Sequence, residues 1–209
     1  MRKMELILIG AGGHSRSCID AIEQEGKFKI GGLVGLGEEV GFSHFGYQVL
    51  AIDSELSALA KEFQYALISI GQIQSPELRI HLYELTLEAG FLLPTIIAPT
   101  AYVSPNATVG AGTVVMHGAI LNAGVSVGDN CIINTRALLE HDSQVSDHCH
   151  ISTGAILNGD ASIGTGSFIG SGSVIKEGVS VGAGSVVGMG LALRHNLDDG
   201  SYFLGSAKS

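Results

Sequence analysis

The chain has no tryptophan, four prolines, three cysteines and only 11 basic residues against 20 acidic ones in 209. The shortage of lysine and arginine, with a formal net charge of −9, argues against nucleic acid or an anionic membrane as the main partner. An anionic small ligand stays open, because one local cation or a helix N-terminus is enough to hold it. The cysteines Cys18, Cys131 and Cys149 are odd in number and lack metal-ligand spacing. They read as reduced, buried thiols of a cytosolic protein, neither a disulfide framework nor a zinc site. Long apolar runs are absent too. Leu6–Ile9 is too short for a signal peptide or a membrane span, so a cytoplasmic protein is expected. Charged residues make up 15% and hydrophobic ones 45%, which excludes disorder.

What the chain has in excess is glycine, 30 residues concentrated in the second half without a Gly-X-Y period. The first half is different. Met4–Ile9 is an apolar run ending in Gly10-Ala11-Gly12-Gly13, and Cys18, Ile19 and Ile22 follow at helical spacing, closed by Gly26. A second strand is expected over Ile30–Val34, a helix over Ser54–Phe63 capped by Ser54, and a buried strand over Tyr65–Ile70. Pro76 opens a helix in which Leu78, Leu82, Leu85 and Ala89 share a face, closed by Gly90. Alternating strands and helices predict a small parallel sheet of the doubly wound, Rossmann-like type.

The period changes near Ile97. From Val103, every sixth residue through Leu193 is aliphatic, sixteen positions without a break. The residue two before is usually small (Ala107, Ala119, Ala137, Ala155, Ser167, Ser185). Glycine often follows, as at Gly110, Gly128, Gly164, Gly170, Gly182 and Gly188. A six-residue repeat fits neither an α-helix nor a hairpin array. It fits a three-sided prism in which each hexad supplies one short strand and one corner. Sixteen hexads make about five coils, stacking to roughly 24 Å at the usual strand spacing.

These hexads resemble those of the hexapeptide-repeat acyltransferases, whose fold is a left-handed parallel β-helix. The N-terminal half, with Ile9-Gly10-Ala11-Gly12-Gly13-His14, and the segment Ile133-Asn134-Thr135-Arg136-Ala137-Leu138-Leu139-Glu140-His141-Asp142 are similar to the sialic-acid and bacillosamine acetyltransferase family of the NeuD/PglD type. That resemblance covers essentially the whole chain. It implies a homotrimer, acetyl-CoA in the groove between prisms, a UDP-sugar on the N-terminal part and no metal. It divides the chain into residues 1–93, binding the nucleotide sugar, and 94–209, the catalytic prism.

Acetyl transfer to an amine needs a base for the departing proton and a stabiliser for the oxyanion. A histidine paired with a carboxylate suits the first task, because the carboxylate fixes the tautomer and raises basicity. His141-Asp142 falls at an outward corner just past the inward Leu139. Without the resemblance, a solvated corner histidine is the plainer reading; with it, His141 is the base and Asp142 its partner. His150 lies nine residues on, half of an eighteen-residue coil, so the two histidines occupy different faces and could meet only across a subunit interface. The resemblance places His150 on acetyl-CoA; by itself it reads as a half-exposed strand residue. Gly159, Ser171 and Gly172 are carried over by position as thioester or pantetheine contacts. Asn134 reads as an outward residue able to orient an active-site group. Lys176 and Arg194 are late cations that could meet the CoA phosphates or merely be solvated. His117 and His148 receive no role.

Gly10-x-Gly12 between a strand and a helix points backbone amides at a phosphate. Ser15 replaces the third glycine of the dinucleotide fingerprint, and Gly35 stands where a ribose-binding acid would end the second strand. Both disfavour an NAD-dependent dehydrogenase. The resemblance puts Gly12, Gly13 and His14 on the nucleotide sugar and the Ile70-Gly71-Gln72 turn beside the base, with Arg79 a looser candidate. Gly35 departs from the family's usual acid, and Gly205-Ser206-Ala207-Lys208 departs from its Gly-x-Pro-Ala-Lys ending. The expected activity is acetylation of the 4-amino group of a UDP-linked 4-amino-4,6-dideoxy sugar. O-acetylation of a sialic acid is the alternative, followed by a non-catalytic scaffold, a carbonic-anhydrase-like metal protein and a sugar-nucleotide sensor.

Overall fold

A computed structural model describes residues 4–205; the Ser206-Ala207-Lys208 departure lies outside them. Strand β1 (Met4–Ile9) is an interior strand of a five-stranded sheet, and Leu6, Ile7, Leu8 and Ile9 are fully buried between layers on its two faces. It pairs in parallel with β2 (Phe28–Val34) and with β5 (Tyr65–Ile68). Strand β4 (Tyr47–Ala51) extends the sheet in parallel beyond β2, and β3 (Ser43–His44) closes that edge antiparallel. Leu6 and Leu8 pack against helix α1 (Gly13–Glu25). Ile7 and Ile9 pack against α2 (Leu56–Leu59) and α3 (Glu77–Glu88).

Three local expectations change. The 54–63 helix shrinks to a 3-10 turn, Asp53–Glu55, followed by the single turn of α2. Its start is held by Glu55, whose Oε2 accepts the Ile52 N–H at 3.0 Å, while Ser54 makes no cap. The β3–β4 hairpin is unannounced by any Asn-Gly pair; Phe45 (φ 52) and Gly46 (φ 82) supply its left-handed turn. On α3 the buried positions are Arg79, Leu82, Tyr83 and Thr86, and Leu78 is 61% exposed. The helix is rotated from its apolar stripe because Arg79 and Tyr83 reach the prism.

From Ile96 to Phe203, eighteen two-residue strands form three parallel sheets of six, five and seven strands. Successive strands lie on successive faces and most pair eighteen residues on, as Ile132 does with His150 and His150 with Phe168. This is the left-handed parallel β-helix. Every inward position from Val115 to Leu193 is buried in one continuous core, each large aliphatic contributing about 2 kcal/mol. The buried small residues complete it: Ser167 and Ser173 donate from Oγ to carbonyls of the neighbouring coil. Gly164 and Gly170 follow inward residues where a Cβ would meet the next coil's backbone at 2.5 Å. The third residue after each inward one from Val109 to Val187 turns the corner in the left-handed region. Glycine fills most of these corners, but Asn130, Arg136, Asp142, His148 and Asp160 do not.

The outward residues separate the three faces. One column, Thr108, Ser126, Gln144, Ser162 and Ser180, is polar. A second, Tyr102, Ile120, Leu138, Ile156, Val174 and Ala192, is apolar and partly or fully exposed. The third runs Ile96, Val114, Ile132, His150, Phe168, Val186. Its first three members are buried with α1 residues Cys18, Ile19 and Ile22, so the α/β part sits on half of that face. Among the described residues, no helix is long and apolar enough to cross a membrane.

Candidate active site

His141 and Asp142 project from the corner between the apolar and polar faces, and both side chains are 68% exposed. Asp142 Oδ2 lies 3.0 Å from His141 Nδ1. Because a carboxylate only accepts, Nδ1 carries the proton and Nε2 is left with a free lone pair. This bond raises the imidazole pKa above its ordinary value against desolvation, which lowers it, and the Asp142, Glu140 and Asp160 charges add to the rise. One coil on, Gly159 presents no side chain to the ring. A Cβ there would lie 2.7 Å from both Cε1 and Nε2 of His141. Gly159 thus lets the imidazole lie against the prism wall.

His150 sits on the third face at the seam with the α/β part, 6% exposed. Its Nδ1 lies 2.5 Å from the Gln72 carbonyl, which fixes a proton there. The Thr135 N–H donates to Asn134 Oδ1 at 2.8 Å, so the Asn134 amide nitrogen faces His150 Nε2 at 3.1 Å and donates to it. Burial pushes the His150 pKa down to about 4, with the Gln72 carbonyl opposing and Arg79 assisting. His150 is therefore a neutral imidazole of one tautomer, clasping the Gly71–Gln72 turn. Beyond it opens a slot of about 510 Å³ lined by Asn134, His150, Ser152, Phe168, Ser171 and Met189 among others. Ser152 and Ser171 share a hydroxyl hydrogen bond of 2.8 Å. Gly172 is an exposed left-handed corner, φ 67. Lys176 and Arg194 line a separate recess with Asn158, beside Val174 and Ala192 of the apolar column.

A second cavity, about 250 Å³, lies at the end of β1 and is lined by Gly10, Ala11, Gly12, Gly35, Leu36, Glu39 and Asp53 among others. Gly12 and Gly13 are open on their side-chain side. His14, next in α1, turns into the seam. Burial pushes its pKa down to about 3, helped by Arg79 and His150, and its Nε2 has no partner among the described residues. Gly71 lies beside it, a Cβ there falling 3.8 Å from that of His14.

Gln72 and Arg79, expected on the nucleotide sugar, are turned elsewhere. Gln72 Nε2 donates to the carbonyls of His148 (2.9 Å) and Gly166 (3.2 Å) across the seam. Arg79, 1% exposed, donates to the carbonyls of Ile68 and Ile70 at 2.8 Å and of Asn130 at 3.2 Å. Its charge is committed to bracing the turn after β5, so neither side chain faces the cavity. His148 joins this brace, hydrogen-bonded to Asn130 at 3.0 Å and edge-on to Tyr83. Sequence reasoning missed the apolar outward column, which reading every eighteenth residue before an inward one would have found. Among the described residues no group of three or more His, Cys, Asp or Glu could hold a metal.

A β-helix with an exposed His–carboxylate corner, joined to a glycine-turn α/β unit, defines the hexapeptide-type acyltransferases. The PglD N-terminal domain matches residues 5–84, and the hexapeptide repeat of succinyl-transferase matches residues 161–194. A histidine variant of perosamine N-acetyltransferase from Caulobacter crescentus, in complex with CoA and GDP-perosamine, superposes with a TM-score of 0.91. It is 30% identical over 96% of this chain and 93% of that one. The acetyltransferase domain of PglB from Neisseria gonorrhoeae, in complex with acetyl coenzyme A, gives a TM-score of 0.87 at 33% identity, over 96% and 95% of the two chains. WeeI from Acinetobacter baumannii shares the fold at 21% identity, with a TM-score of 0.84 over 97% of each chain. No curated protein matches the chain in sequence. The chain belongs to the NeuD/PglD-type family of acetyl-CoA-dependent sugar N-acetyltransferases.

Proposed function

We propose that the chain transfers the acetyl group of acetyl-CoA to the 4-amino group of a nucleotide-linked 4-amino-4,6-dideoxy sugar. Residues 1–93 hold the nucleotide and residues 94–209 carry the reaction. The observation that carries this reading is the His141–Asp142 pair, whose Nε2 is unblocked on an open corner. His141 takes the proton from the sugar amine as its nitrogen bonds to the acetyl carbonyl carbon, the thioester C–S bond breaks to release CoA as its thiolate, and Asp142 stabilises the imidazolium, whose proton passes to that sulfur. Bound acetyl-CoA supplies an activated thioester. The donor set fits it: the slot of Asn134, His150, Ser152, Phe168 and Ser171 is apolar with a few polar groups, as a pantetheine arm requires. Lys176 and Arg194, which share a recess with Asn158, are the cations this reading gives to its phosphates. His150, being a neutral ring whose Nε2 already accepts from Asn134, shapes that slot and takes no proton.

The chain acts as a homotrimer in this reading. The uncovered apolar column supports it, because that column borders His141 while His150 lies on another face. A neighbouring prism on the column would bring the two histidines of different subunits together. Gly12, Gly13, His14 and Gly71 approach the nucleotide sugar; Gln72 and Arg79 hold the turn that positions them. UDP is the nucleotide the sequence suggests, and the GDP-perosamine bound by the Caulobacter enzyme makes GDP the second choice.

An assay of acetyl-CoA consumption tests this against UDP- and GDP-linked 4-amino-4,6-dideoxy sugars and free sialic acid. Turnover with an amino sugar is expected. Turnover with sialic acid alone would replace the amine by a hydroxyl acceptor, and none with any acceptor would overturn the reading.

A further inference from the structure

The end of β2 lacks an acid in sequence but not in space. A Cβ built on Gly35 would come within 2.7 Å of Glu39 Oε2, 3.1 Å of Val49 Cγ1 and 3.3 Å of the Ala11 Cβ. The Glu39 carboxylate thus stands where a side chain at position 35 would stand. It arrives from the 3-10 turn Gly37–Glu39, folded back so that Oε2 accepts the Leu36 N–H at 2.8 Å. Its Oε1 lies 3.9 Å from His44 Nε2. Glu39 and Asp53 both line the cavity that begins at Gly10 and Gly12. When a diphosphate rests on a glycine turn and a helix N-terminus, the nucleoside lies toward the end of the second strand, which is where these carboxylates are.

We propose that Glu39, with Asp53 as a second acceptor, is the residue that binds the nucleoside of the sugar nucleotide. It replaces from the following turn the acid that Gly35 cannot supply. The inference rests on the reading of residues 1–93 as the nucleotide-sugar half. A carboxylate at this spot accepts two adjacent donors. A ribose 2′,3′-diol offers such a pair, and so does the N1–H and N2–H edge of guanine; uracil offers one N–H between two carbonyl oxygens, which a carboxylate repels. Gly35 is then required. An added side chain would collide with the carboxylate that does the work.

The test is calorimetric binding of GDP, UDP, inosine diphosphate and 2′,3′-dideoxy-GDP to the full chain, with acetyl-CoA binding as a control for folding. Removing a charged acceptor, Glu39→Ala, should weaken binding of the preferred nucleotide by about tenfold or more and leave acetyl-CoA unaffected. Glu39→Gln keeps the bond to the Leu36 N–H and should also weaken binding. The double variant Gly35→Asp with Glu39→Ala returns the carboxylate to the strand end and should recover most of the loss. If the diol is the donor pair, dideoxy-GDP binds weakly and no longer responds to Glu39→Ala. If guanine is, inosine diphosphate does the same. Unchanged affinity for every nucleotide in Glu39→Ala and Glu39→Gln, with wild-type binding intact, would reduce Glu39 to a cap of its turn and overturn the proposal. A wild-type chain that binds none of the four nucleotides would instead overturn the nucleotide-sugar reading beneath it.

Discussion

The corners of the prism and the seam where it meets the α/β half treat their titratable side chains in different ways. The prism has an interior of aliphatic rungs and small residues, and its charged groups stand at corners in open solvent, as His141 and Asp142 do. The seam with the α/β half instead buries polar groups: His14, Gln72 and Arg79 from that half and His150 from the prism crowd it, and His14 Nε2, Gln72 Oε1 and Arg79 Nη2 have no partner among the described residues. Buried groups of this kind are costly and fix geometry, whereas a corner base stays accessible to a substrate. The difference supports the proposal of proton transfer at the corner and positioning at the seam.

The sharpest way to separate them is Gly159→Ala. The added methyl would meet the His141 ring at 2.7 Å. Displacing a catalytic group by about 1 Å costs on the order of a hundredfold in kcat, while the melting temperature should hardly move, because Gly159 has an ordinary φ. Unchanged kcat would show that the ring does not need its place on the wall.

The seam answers to pH. His14 and His150 titrate at about 3 and about 4 when folded, below the ordinary 6.5. Between these values the unfolded chain binds protons that the folded chain refuses, so stability falls as pH drops below 6.5. Urea titrations at pH 7 and pH 5 should differ by about 2 kcal/mol per histidine. Equal stabilities would mean that the seam is wetter than its burial implies.

A smaller effect tests the corner itself. Asp142 holds φ 62, a conformation glycine adopts at most equivalent corners. Asp142→Gly should raise stability by about 1 kcal/mol, measured by thermal melting. It should also move the acid limb of the pH–rate profile down, since the bond that raises the His141 pKa is gone. Loss of stability would mean that the carboxylate holds the corner together.

The prism was legible because each rung obeys one local rule: a large aliphatic every sixth residue, from Val103 to Leu193, faces inward whatever surrounds it. His141 was legible as a corner residue for the same reason. What depended on distant chain was not. Nothing near Arg79 in sequence tells that its donors meet the carbonyls of Ile68, Ile70 and Asn130, and its place on α3 suggested a ligand. Gln72 was misplaced likewise, since its partners His148 and Gly166 are more than seventy residues away. The apparent helix over 54–63 has suitable residues but loses out to a turn fixed by Glu55. Gly35 looked like a missing acid only because Glu39 folds back from four residues on.

The most direct test is acetyl transfer by His141→Ala beside the wild type, with a nucleotide-linked 4-amino sugar, acetyl-CoA and a melting curve for each. Loss of the general base should lower kcat by about a thousandfold or more with the melting temperature unchanged. A stable variant that still turns over at near the wild-type rate would contradict the account.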